Sequence, residues 1–395
     1  MRKGLHVFLF LTLVVILAVT RPLVAYGLVD LKSANYSDAW NDLTFDAGSL
    51  IVSRAYNSRA FHDGMFGFRW CSDFEDTLLP AQRGGRGALI LTHCGAGLQE
   101  LFVAVERSGG RETRYRRLDG LATIHMVGNH YVVAFDDPFP TCPDCRSGAV
   151  REFDLAGRLV GRGSMVNAAD AWAFSYHDQR LTTVVDGRGN KIVISYYSNG
   201  KVKQIEGSNG KRTEYWYSLD GDLIEARTAS GNRYTYEYDL LHNLVRVNYP
   251  DGTFARIGYD ILRDQVTTYQ STDGCREEYR YYRTLTRAHY SAEVSRICSS
   301  AETRSRYEFW YAQDRYGGWL YRSLTTDGGN TTEVFYDRYG KASRIIKNGL
   351  DQAIRYSDDR TRRTNGPITN SDDPSVEVVE EGKAGAIKSA TEKSR

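Results

Sequence analysis

The chain has 395 residues, ample for two domains of ordinary size, and its 51 Lys and Arg against 49 Asp and Glu leave a formal charge of +2. That balance excludes an electrostatic nucleic-acid surface: Arg111, Arg114, Arg116 and Arg117 are too few to make a basic stripe, and they read as charged strand edges that resist pairing with other chains. The 27 tyrosines and 37 glycines fit strands joined by tight turns.

Residues 1–27 read as a secretory signal peptide. Arg2 and Lys3 precede an apolar run from Leu5 to Val19, and Ala25 and Gly27 are the small residues that a cleavage site needs. The run is shorter than the roughly 20 residues that cross a bilayer, so an uncleaved anchor is the alternative. No later segment approaches spanning length. The expectation is a chain with no stable membrane span after cleavage, secreted or held in the periplasm or cell envelope.

Residues 28–148 are expected to form an N-terminal β-rich domain, with strand-like runs at Ala88, Leu89, Ile90 and Leu91 and at Tyr131, Val132, Val133, Ala134 and Phe135. Residues 149–356 then carry a repeat. Tyr176, Tyr197, Tyr217, Tyr238 and Tyr259 recur at intervals of 20 or 21 residues, and Tyr336 returns later. After each anchor comes a polar turn, then alternating apolar residues, then a second turn: Asp186-Gly187, Asn209-Gly210, Ser230-Gly231, Asp251-Gly252 and Asp273-Gly274. Leu181, Val184, Ile192, Ile194, Val202 and Ile205 alternate at the strand period of two. One such unit cannot bury its apolar face, so the units must stack into a curved sheet or solenoid. The period is lost between Gly274 and Gly318. Residues 357–395 contain no aromatic residue and too little apolar surface to offset ordering, which predicts a disordered tail.

The copy running Tyr238-Asp239-Leu240-Leu241-His242-Asn243-Leu244-Val245-Arg246-Val247 and on through Pro250-Asp251-Gly252-Thr253 resembles the YD repeat of RHS proteins. Leu50-Ile51-Val52-Ser53-Arg54-Ala55-Tyr56-Asn57-Ser58, followed by Phe66-Gly67-Phe68-Arg69-Trp70, is similar to the β-rich segment preceding such repeats, with Phe68 and Arg69 intruding into its Gly-x-Gly-Trp-like string. The resemblance implies an all-β fold in which an N-terminal β-rich domain leads into a strip of YD hairpins, a partial shell. It also implies one of two roles, carbohydrate binding or a toxin-carrier shell around an effector. The repeat array is short for a closed shell, and neither the Pro- and Asp-rich motif that ends such cores nor an effector domain follows it.

Six cysteines in an exported chain point to disulfides, with fifteen possible connectivities. Cys71 with Cys94 and Cys275 with Cys298 are the expected bridges, and Cys142-Pro143-Asp144-Cys145 is expected to be a structural staple or exposed turn. A redox dithiol there needs a helix after it, whereas Arg151-Glu152-Phe153-Asp154-Leu155 reads as a strand. Zinc held with Cys71 and Cys94 is the lesser alternative.

Catalytic signatures are thin. There is no Gly-x-Ser-x-Gly elbow, His-Glu-x-x-His or phosphate loop. Glu75-Asp76 and Asp136-Asp137 are neighbours whose side chains point to opposite strand faces, unlike a glycosidase pair. Asp186 to Asn190 and Asp220-Gly221-Asp222 do not match a calcium loop. No catalytic residue, metal or cofactor is expected; a hydrolase, the third reading, would have only His62, Asp63, Glu75, Asp76, His93 and His125 to draw on. The first reading is therefore a non-enzymatic exported scaffold that binds glycan or an envelope protein, with Tyr196, Trp216, Tyr236 and Tyr249 as candidate binding face because they lie near but off the anchors. The second is a truncated or split carrier shell whose partner is a toxin or effector.

Overall fold

The computed structural model describes residues 28–356 and 376–380, apart from 46–49, 84–85, 95–97, 110, 118–119, 136–147, 165–169, 285–287, 300, 315–316 and 338–339. The expected signal peptide and the Cys142/Cys145 motif lie outside the described residues.

The described chain is all-β, and its only helical element is a 3-10 turn at Asp73–Glu75. The period-two pattern produces this directly. In strand Lys191–Tyr196, Ile192 and Ile194 are buried while Lys191, Val193 and Ser195 are exposed. Strands Leu28–Asp30, Asn35–Thr44, Ile51–Asn57 and Trp70–Cys71 pair in that order into a small antiparallel sheet, here termed the plug. From Thr77–Arg83 onward every strand pairs antiparallel with the strands before and after it, making one long strip. Thr77 also bridges Arg158, so the strip turns back on itself near its start. No ladder joins its first and last strands among the described residues.

The strip passes unbroken through the composition change near residue 148, because His130–Phe135 pairs with Ala149–Asp154. The change of sheet comes earlier, between Cys71 and Thr77, where Ser72 caps the 3-10 turn and Glu75 closes a capping box. One strand falls within the expected disordered tail: Val376–Glu380 pairs with Leu350–Tyr356. Its Val-Glu-Val-Val-Glu sequence has the β-branched content a strand edge accepts. The rest of 357–395 lies outside the described residues.

The repeat tyrosines are staples. The hydroxyls of Tyr196, Tyr238 and Tyr259 donate to the carbonyls of Leu181, Leu223 and Leu244 at 2.6, 2.8 and 3.1 Å, each 15 residues upstream. Tyr176 does the same to Leu159 at 2.8 Å. A ladder register shift immediately precedes Tyr176, Tyr196, Tyr217, Tyr238, Tyr259 and Tyr336, and such bulges re-aim the side chain that follows. This corrects the sequence alignment in one unit. Tyr196, expected off the anchor as a binding residue, is the anchor, and Tyr197 is its neighbour; adjacent tyrosines made the two registers indistinguishable by spacing.

Tyr217 occupies the same position, but its buried hydroxyl has no hydrogen-bond partner. Tyr238 also accepts from the Trp70 indole at 2.8 Å. Tyr238→Phe should therefore cost about 1–3 kcal/mol by stranding two buried groups, whereas Tyr217→Phe should be nearly neutral. Urea unfolding of the two variants checks this, and equal losses would show that the hydroxyls are not the staples.

One apolar core contains the plug residues Tyr36, Trp40, Leu43, Phe45, Tyr56 and Trp70 together with the strip from Leu78 to Tyr279. A second, small core of Val334, Tyr336, Ala342 and Ile345 lies towards the end of the strip.

Candidate functional site: the seam between plug and strip

The plug is fastened to successive repeats through their backbone. Val202 N donates to Met65 O at 2.8 Å, Ala229 N to Asp42 O at 2.8 Å and Val266 N to Ala34 O at 3.0 Å. Leu244 N donates to the Tyr56 hydroxyl at 3.0 Å. Val202 and Leu244 open, and Val266 is second in, the strand after the anchor turn in three different units. One small sheet is thus held by repeats more than sixty residues apart in sequence.

Arg69, the residue that intrudes into the family string, has φ 64°, a left-handed conformation unfavourable to long side chains. Its partners hold it there. Its amide donates to His62 O at 2.7 Å, and its guanidinium bonds the Asn243 side chain and reaches Asp264 at 3.1 Å. Phe68 meets His242 edge-on, with ring centroids 6.3 Å apart. His242 takes φ 61° at the turn position that Gly200 and Gly221 fill in neighbouring units. The departures from the pattern at Phe68, Arg69 and His242 therefore touch one another, a coupling that spacing alone does not reveal.

The centre of the seam is charged. Arg54 and Asp42 are fully buried and joined at 2.6 Å. The guanidinium carbon lies 5.0 Å from the ring centres of Trp40 and Trp70 and 5.2 Å from that of Tyr236. Burial pulls the Arg54 pKa down, but the charge and hydrogen bond of Asp42 together with Tyr236 and Tyr215 hold the group above its ordinary value. Nothing in the sequence around Arg54 distinguishes it from a surface arginine.

The expected binding residues divide between the faces of the strip. Tyr236 and Tyr249 are only 3% and 7% exposed, packed against the plug: Tyr236 on Trp40 and Trp70, and Tyr249 with its hydroxyl 3.3 Å from Asp38. They are core residues, because the plug covers the face onto which they project. Trp216 is half-buried on the other face, with Arg227 stacked 4.9 Å from its ring. Ion pairs cover that face, as where Glu225 meets Arg227 and Arg233. Tyr196 is half-buried at its anchor.

Of the titratable groups a hydrolase would have used, His62 and Glu75 meet at 3.3 Å beside the Cys71–Cys94 bridge, and the others are dispersed or sealed. His125 is exposed on strand Ala122–Val127, and Asp63 is paired with Lys201. Asp76 and His93 are each only 3% exposed in their side chains and bury a network with Arg151 and Glu100, completed by an Arg117–Glu100 pair at 3.1 Å. Burial pushes the Asp76 carboxyl up, but Arg151 and His93 together hold it below its ordinary value. Both expected disulfides are in place: Cys71 and Cys94 have Cα atoms 5.7 Å apart and join plug to strip, while Cys275 and Cys298, at 4.4 Å, join adjacent hairpin strands. The zinc alternative was expected to draw on the Cys142/Cys145 motif, which is outside the described residues.

A cleft of about 370 Å³ opens where Leu28, Val29 and Leu31 meet the strip. Tyr269, Tyr279 and Tyr307 line it together with Asp273, Glu277 and Arg296. The Tyr279 hydroxyl bonds Glu277, and Arg296 reaches Asp273 at 3.1 Å. Sequence reasoning missed this site because it lies where the tyrosine period fails.

The strip of antiparallel hairpins, stapled by a tyrosine every 20 or 21 residues and packed on an N-terminal sheet, is what the resemblance to YD repeats leads one to expect. The RHS Repeat family model matches residues 217–253, the unit in which Tyr217 and Tyr238 are the anchors. No curated protein matches. Among solved structures the chain is similar to "TcdB2-TccC3-TEV", at 14% identity and TM-score 0.34 over 82% of this chain and 20% of that one. It is similar also to "TcdB2-TccC3-Cdc42", at 13% and 0.34 over 83% and 21%. It spans about a fifth of the length of these neighbours.

Proposed function

We propose that this chain is an exported, non-enzymatic RHS scaffold that binds glycan at the cell envelope or outside the cell. The observation that carries the reading is that the apolar face of the strip is already filled: Trp70, Arg54, Tyr36, Tyr56 and Phe66 from the N-terminal segment are fully buried together with Tyr215 of the strip. Binding then falls to surfaces outside that core. The cleft beside Leu28 offers tyrosines with adjoining carboxylate and guanidinium groups, the pairing of apolar face and directed polar atoms that sugar rings require.

A second reading, a split or truncated carrier shell with an effector partner, draws on the last strands. These have a separate core at Val334 and Ile345 and leave Tyr321 and Leu350 exposed. The experiment that separates the two passes envelope and culture extracts over the immobilised full chain and analyses the bound material for glycan and protein. Glycan should be retained, and Tyr307→Ala should lower its retention at least about tenfold, the equivalent of some 1.4 kcal/mol, with little effect on melting. Recovery of an effector-like protein instead would favour the shell, and an empty column would count against both.

A further inference from the structure

Beside the Cys71–Cys94 bridge, two further metal-ligating side chains converge. The ligand atoms of His62, Cys71, Glu75 and Cys94 all lie within 4.8 Å of one another, and among the described residues no other group of three or more His, Cys, Asp or Glu does so. We propose that these four residues form a redox-gated zinc site, closed as a disulfide when oxidised and a tetrahedral site of one nitrogen, one oxygen and two sulfurs when reduced.

Three features beyond proximity support it. The His62 Nε2 to Glu75 Oε1 distance is 3.3 Å, close to the edge of roughly 3.4 Å that a tetrahedron with bonds of about 2.1 Å demands. The Glu75 carboxylate is oriented in advance, since Met65 N donates to Oε1 at 2.7 Å and Ser72 N to Oε2 at 2.9 Å. Outer hydrogen bonds of this kind tune a ligating carboxylate. Access comes through His62, whose side chain is 36% exposed, while both cysteines are buried.

The chemistry balances. A dithiol reductant gives two electrons and two protons to the S–S bond, producing the Cys71 and Cys94 thiols and its own disulfide. Zinc binding then releases both thiol protons to solvent as the thiolates take the metal. In either state the plug stays tied to the strip, by a covalent bond or by the metal. The Cys275–Cys298 bridge is the internal control, since no such cluster includes it.

The test uses the full chain, oxidised or reduced, with Zn2+ alone as probe. Metal retained after gel filtration is measured by atomic emission, and Co2+ substitution is followed by its thiolate charge-transfer band. The reduced chain should hold one equivalent and the oxidised chain none. His62→Ala should weaken retention by more than the roughly 10–100-fold that loss of an outer-shell partner brings, and substituting Cys275 and Cys298 should leave it unchanged. His62 is partly exposed, so that variant should fold, and the cobalt band needs no variant at all. A reduced chain that holds no metal, or holds it equally well without His62, would overturn the proposal.

Discussion

Arg54→Ala should lower the unfolding free energy by about 3–5 kcal/mol, more than any other single truncation of the plug of similar size. Arg54 and Asp42 are both wholly buried and 2.6 Å apart, and Asp42 otherwise keeps only the Tyr215 hydroxyl, which donates to it at 2.8 Å. Removing the guanidinium leaves a carboxylate in the core with one neutral donor. The loss has a second part. The terminal nitrogens of Arg54 have no hydrogen-bond acceptor, so the faces of Trp40, Trp70 and Tyr236 stand in as the electron-rich surface around them. Arg54→Lys keeps the charge but not the planar stack, and should recover only part of the stability. The decisive comparison is Arg54→Met combined with Asp42→Leu, which removes both charges and should be more stable than Arg54→Ala. If the double variant is no better, the stranded carboxylate is not the source of the loss. The midpoint of guanidinium unfolding at constant slope reads all three.

Much of this architecture was legible in the sequence, and the reason is local. Hairpin strands announce themselves by alternation, as at Ile192 and Ile194, and their turns by Asn-Gly and Asp-Gly. The tyrosine period then gives the stacking, and the two expected bridges, Cys71–Cys94 and Cys275–Cys298, are the ones the structure holds, although the sequence left fifteen connectivities open. What was not legible depends on contacts across the seam. Tyr236 and Tyr249 look like a surface ladder until the plug is placed over them, and Trp216 differs from them only in which face its strand position gives it. Adjacent Tyr196 and Tyr197 hid the anchor because the bulge that selects one of them has no sequence mark. Arg54 and Asp42 are twelve residues apart on neighbouring plug strands, and their burial follows from the strip around them. The ligand cluster was half visible: the two cysteines were paired, but His62 and Glu75 reach them only through the capped turn at Ser72.

At pH 8, Asp38→Asn should be more stable than the parent, and the advantage should disappear as the pH falls towards 4. Burial is the main cause that pushes the Asp38 carboxyl from 3.8 up to about 7, opposed by the Ala39 amide at 2.8 Å, by the Tyr36 and Tyr249 hydroxyls at 3.2 and 3.3 Å and by the Arg54 charge. The folded pKa is therefore above the unfolded one. Between the two values the folded chain holds more protons than the unfolded chain, so stability decreases as pH rises through that window and levels off above pH 7. A shift of this size corresponds to about 4 kcal/mol at most between the two plateaus. Asparagine keeps an acceptor for the amide and the hydroxyls but has no charge to desolvate. Its unfolding free energy should therefore lack this falling limb, and denaturant titrations at pH 4, 6 and 8 should show the two curves diverging upward in pH. Parallel curves would mean that Asp38 is ionised in the folded chain throughout. The expected result instead makes the seam tightest in mild acid, where Tyr36 from the plug and Tyr249 from the strip share a neutral carboxyl rather than a buried charge.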